Sequence, residues 1–103
     1  MRGMALDLDT LPKERLAQFC RTCGIRRLAL FGSALRGDFT SRSDIDVLVE
    51  FVPGTRVGLS FFTMQDELSR ILGREVDLNT PGFLGEHMRR RVLAEAREIY
   101  VAA

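Results

Sequence analysis

The chain has 103 residues, about the usual size of one domain, with 15 basic and 14 acidic side chains and a formal net charge of +1. That length buries a real core but leaves no room for a second domain, so residues 1–103 read as a single domain. The small net charge gives no basis for nucleic-acid binding by bulk electrostatics. No apolar run has membrane-spanning length, and Asp7 and Asp9 follow Met1 too closely for a signal-peptide pattern, so the expectation is a soluble cytoplasmic protein with no membrane partner.

Asp9 or Thr10 can cap a first helix with Pro12 in its first turn, ending before Gly24. Leu16, Phe19, Cys20 and Cys23 fall at i, i+3, i+4 and i+7 and form one helical face. Cys20 and Cys23 make a C-x-x-C, but there is no second cysteine pair, His87 is the sole histidine, and a thioredoxin-like context is missing. Both thiols therefore read as reduced core residues. Residues 25–31 form a strand with Leu28 and Leu30 toward the core. Residues 33–35 follow as a helical turn and 37–43 as a polar loop. Residues 45–51 are a second strand, Pro53, Gly54 and Thr55 a turn, and 59–72 a helix whose stripe is Phe61, Met64, Leu68, Ile71 and Leu72, stopped by Gly73. Residues 74–78 alternate as a short third strand, Pro81 and Gly82 break the chain, and 85–99 read as a last helix with Met88, Val92, Ala96 and Ile99 on one face. Arg89, Arg90 and Arg91 on that helix suit either a solvated face or a surface for phosphate or a partner. His87 reads as structural or exposed.

The chemistry concentrates around the second strand. Side chains alternate along a strand, so Asp44 and Asp46 share a face while Ile45, Val47 and Val49 point to the core. Two neighbouring carboxylates repel unless neutralised. A magnesium ion does this well, because it takes oxygen ligands from one or two carboxylates together with substrate phosphates. Upstream, Gly32 permits close backbone approach and Ser33 opens a helical turn whose N–H groups suit phosphate oxygens, although a plain Ser helix cap fits the same residues. Asp77 alone reads as a solvent-facing charge. If its strand lies beside that of Asp44 and Asp46, three carboxylates converge on one open face.

The stretch Phe31-Gly32-Ser33-Ala34-Leu35-Arg36-Gly37, followed by Ser43-Asp44-Ile45-Asp46-Val47-Leu48-Val49, resembles the nucleotidyltransferases of the DNA polymerase beta superfamily, with their G-S, spacer and D-x-D signature. It is most similar to the minimal nucleotidyltransferase (MNT) group. The resemblance covers the chain from the first helix to Asp77, more weakly beyond. It implies that Gly32, Ser33 and Arg36 hold the triphosphate of ATP, and that Asp44, Asp46 and Asp77 are catalytic and bind Mg2+, two ions in all. Asp77 would also help deprotonate the acceptor. It further implies an antitoxin that transfers AMP to a tyrosine of a HEPN-type ribonuclease toxin. Arg42 is a second arginine near enough in sequence to reach phosphate, and a surface loop arginine is the simpler account of it.

The expected fold is α/β (α+β): a small mixed β-sheet with helices on one face, the polymerase beta palm-like fold. The short link between the first two strands favours an antiparallel pair. The expected function is Mg2+-dependent transfer of a nucleoside monophosphate to a hydroxyl. A non-enzymatic antitoxin that covers its partner is the alternative, and RNA or a small molecule are alternative acceptors.

Overall fold

The computed structural model describes residues 10–32 and 44–102. In chain order these form α1 (Lys13–Cys23), β1 (Ile25–Phe31), β2 (Ile45–Phe51), α2 (Ser60–Leu72), β3 (Val76–Asn79), a 3-10 turn (Pro81–Phe83), α3 (Glu86–Glu95) and β4 (Arg97–Val101). The strands make one mixed sheet in the order β3-β2-β1-β4. β1 pairs antiparallel with both β2 and β4, and β2 pairs parallel with β3. Among the described residues no helix is long and apolar enough to cross a membrane.

Alternation along the strands divides the sheet into two faces. On one face Leu28 and Leu30 of β1, Ile45, Val47 and Val49 of β2, and Val76 and Leu78 of β3 meet Leu16, Phe19 and Cys20 of α1 and Met64 and Leu68 of α2. Fully burying a side chain of this size stabilises by about 1.5–3 kcal/mol, so this layer sets the fold. Phe61, Ile71 and Leu72 border the core, so the expected α2 stripe packs as a unit. The other face carries a smaller apolar cluster, in which Val92 of α3 packs on Ala29 and Leu48 beside Phe31, Leu84 and Ala96. The helices α1 and α2 thus cover one face, and α3 adds partial cover to the other.

Two expectations about element ends are corrected. Pro12 occupies the position before α1, and the Leu16 N–H donates to its carbonyl oxygen at 3.0 Å. The proline φ of −75° would suit a helix but its ψ of 78° does not, so the helix begins after Pro12 instead of at a Thr10 cap; Asp9 lies outside the described residues. The last helix does not run to Ile99. It stops at Glu95, Ala96 turns extended at ψ 142°, and residues 97–101 become β4. The free edge of β1 offers backbone partners that a continued helix would leave unmet. β4 takes them, pairing Leu28 with Tyr100 and Leu30 with Arg97. The expected turn at 33–35 and loop at 37–43 lie outside the described residues.

The outer edge of β3 is closed by side chains of α2. The Val76 N–H donates to Ser69 Oγ at 3.0 Å and the Leu78 N–H donates to Gln65 Oε1 at 2.9 Å. Ser69 Oγ also donates to the Gln65 carbonyl oxygen at 2.8 Å. These contacts hold the two residues that flank Asp77. Gln65→Ala should therefore lower unfolding free energy by about 1–3 kcal/mol, the cost of a half-buried N–H left without its partner, measurable by urea denaturation.

Both cysteines are free thiols, Cys20 buried and Cys23 half-buried against the core. Burial, and then the neighbouring Cys23, pushes the Cys20 thiol from its ordinary 9.0 up to about 12. Burial and then Glu67 raise Cys23 as well. The thiolate of Cys20 is thus favoured in the unfolded chain. The contribution of the neutral thiol to stability is complete below pH 9.0 and is lost as pH rises from there toward about 12. In that window the wild type should lose stability with pH more steeply than Cys20→Ala, as read from urea midpoints across a pH series.

Candidate functional site

β2 places its acidic residues by the same alternation that builds the core. Asp44 is exposed just before the strand, and Asp46 is half-buried one residue inside it, on the face away from α1 and α2. In the sheet register Asp46 pairs with Phe31 of β1 on one side and with Asp77 of β3 on the other. β3 lies directly beside β2, and exposed Asp77 shares the face of Asp46 between the core residues Val76 and Leu78, so the structure pairs these two acids.

Gly32 follows β1 directly with φ 75°, in the left-handed region that favours glycine. A Cβ built there would overlap Asp46 Oδ2 and lie 3.1 Å from its Cγ. Gly32 is therefore required twice, by its backbone conformation and by the carboxylate packed against it. Ser33, Arg36 and Arg42 lie outside the described residues.

Phe31, Gly32 and Asp46 form one wall of a cleft of about 230 Å³. The opposite wall is a stripe of α3 made by Met88, Arg91, Val92 and Glu95. Val92, buried on the sheet, sets the rotation of the helix and brings Arg91 to the cleft. The sequence signal for Arg91 was present only as one of three adjacent arginines. Arg90 instead pairs with Glu86 at 3.6 Å on the exposed helix surface, and His87 is exposed. A larger cleft of about 490 Å³, between α1 and α2, lies across the core from these carboxylates.

Among the described residues, no three His, Cys, Asp or Glu side chains form a ready-made metal cage. The donor set nevertheless suits a hard cation. Asp77 is in register with Asp46, exposed Asp44 immediately precedes β2, and all three offer oxygen. Magnesium commonly takes only one or two carboxylates and completes its shell with substrate phosphates and water, so a closed protein cage is not needed.

A family model described as nucleotidyltransferase domain matches residues 13–100. The chain belongs to the nucleotidyltransferase domain family. A Methanocaldococcus jannaschii protein, provisionally named protein adenylyltransferase MJ0435, is 37% identical over 87 residues, which is 84% of this chain and 92% of that protein. A solved structure provisionally described as a minimal nucleotidyltransferase has 34% identity and a TM-score of 0.73, over 89% of this chain and 95% of its own. A complex of a tri-AMPylated Shewanella oneidensis HEPN toxin with an MNT antitoxin matches with a TM-score of 0.62 over 87% of this chain and 70% of the matched one. At 18% identity that likeness is one of fold. The enzyme class implied by the Gly32 and Asp44/Asp46 stretch is thus that of the family, and the mixed sheet is the minimal nucleotidyltransferase fold.

Gly32→Ala should strain the turn by about 1–2 kcal/mol and displace Asp46. Nucleotidyl transfer should fall on the order of 100-fold, because small misplacements at reacting centres are costly. Urea unfolding and a turnover assay on the same preparation separate the two effects.

Proposed function

We propose that this nucleotidyltransferase moves AMP from ATP to a hydroxyl on a partner protein, a tyrosine of a HEPN-type toxin, and so acts as an antitoxin. The observation that carries the chemistry is the register pair Asp46–Asp77 on an accessible sheet face, with the Gly32 backbone packed against Asp46. The relative named for protein adenylyltransfer and the neighbour complexed with an AMPylated toxin support the acceptor.

In this reading Gly32 brings its backbone close to the triphosphate, Ser33 adds a hydroxyl donor and Arg36 a guanidinium fork. Asp44, Asp46 and Asp77 would hold two magnesium ions, with the phosphates as further ligands. Such ions, when bound, neutralise phosphate charge and make an acceptor hydroxyl more acidic. Asp46 is the fixed member, locked in the ladder between Phe31 and Asp77. Asp77 is exposed and can be reached by an acceptor carried on another macromolecule, from which it accepts the proton. The acceptor oxygen bonds to the α-phosphorus, the bond from that phosphorus to the bridging oxygen breaks, and pyrophosphate leaves. An open carboxylate face leaves water free to compete, and a docked partner excludes it.

The test mixes the protein with ATP, magnesium and a HEPN-type toxin, followed by mass spectrometry. The toxin should gain one or more AMP units on tyrosine with the wild type and none with Asp46→Asn, which should keep the fold because it removes charge from a partly solvated acidic face. A toxin that is fully inhibited yet unmodified would replace this reading with inhibition by covering.

A further inference from the structure

We infer that Arg91, on α3, is a ligand for the phosphate chain of the nucleotide. The inference rests on the nucleotide-binding reading above and extends it to an element outside the G-S and D-x-D stretch. Arg91 shares the 230 Å³ cleft with Gly32 and Asp46. The Gly32 turn forms one wall and α3 the other, so a phosphate chain seated on the turn faces the guanidinium across the gap. The placement is rigid at the backbone, since the adjacent Val92 is 5% exposed and packed on Ala29 and Leu48. The side chain itself is available. Arg91 Nε stands 3.6 Å from Glu95 Oε1, with the two side chains 66% and 53% exposed. A pair of that length on a solvated helix surface is weak. Phosphate oxygens offer the planar fork a bidentate, charge-assisted alternative. Glu95 also lines the cleft, so its carboxylate competes with phosphate both for Arg91 and by direct repulsion. Neither Arg89 nor Arg90 lines this cleft, and Arg90 is paired with Glu86 instead.

The experiment measures displacement of a fluorescent ATP analogue, in the presence of magnesium, by ATP and by inorganic tripolyphosphate. Arg91→Ala should weaken both competitors by about 10-fold or more, the loss of a charge-assisted contact. Arg91→Lys should recover part of this, keeping the charge but not the fork. Glu95→Gln should tighten both, and Arg90→Ala should leave both unchanged. Unaltered tripolyphosphate binding in Arg91→Ala overturns the inference, whether or not ATP binding changes, because the contact would then lie off the phosphates. Weakening by Arg90→Ala equal to that of Arg91→Ala overturns it too, since bulk helix charge would be responsible. If the wild type binds neither competitor, the nucleotide-binding reading itself fails, a result distinct from wild-type binding that Arg91→Ala leaves intact.

Discussion

A one-residue slip of β2 against β1 would turn Ile45, Val47 and Val49 to solvent and drive Asp46 into the core. Those three apolar side chains are fully buried, and the carboxylate would have no place among them. This single constraint places most of what matters. It puts Asp46 opposite Phe31, so that Gly32 meets the carboxylate, and opposite Asp77, so that a second acid from a distant part of the chain arrives on the same face. The candidate site residues are therefore held by the packing of their neighbours on the far side of the sheet.

The face that carries the acids is organised differently along its length. Toward the other end of β1 and β2, Arg27 lies between Glu50, at 3.1 Å, and Glu98 of β4, at 2.6 Å, while Arg26 reaches Glu50 at 3.3 Å. These groups are partly solvated, so each pair adds little stability. Together they balance charge where β4 joins the sheet. The middle is apolar, with Ala29 and Leu48 under Val92. Asp46 and Asp77 pair in register toward the remaining end, and exposed Asp44 immediately precedes β2 there. One sheet face thus carries a matched ionic zone, a small hydrophobic seat for α3 and an acidic zone.

Much of this is visible in the residues themselves. The stripe from Phe61 to Leu72 and the alternation from Ile45 to Phe51 each match one period well, and each folds as that period demands. The segment after Glu95 does not declare itself. Met88, Val92, Ala96 and Ile99 satisfy a helical spacing, while Ile99, Tyr100 and Val101 also suit a strand. Only the unfilled edge of β1 decides between them, and that edge is a property of the assembled sheet. Asp77 depended in the same way on β3 returning parallel to β2 across α2. Which of the three arginines faces the cleft was hidden for a simpler reason. Three identical residues in a row differ only in where the helix is rotated, and that rotation follows from Val92 finding Ala29 and Leu48.

The hydrogen bonds from Val76 to Ser69 and from Leu78 to Gln65 have a consequence for recognition. A sheet margin normally invites another polypeptide to add a strand through main-chain pairing, which is indifferent to side-chain identity. Here the two N–H groups beside Asp77 are already engaged. A macromolecule approaching the acidic end from this side meets occupied donors and must be selected by the shape and charge of side chains. Its discrimination can then be retuned by point substitution on the surface while the backbone ladder beneath stays as it is.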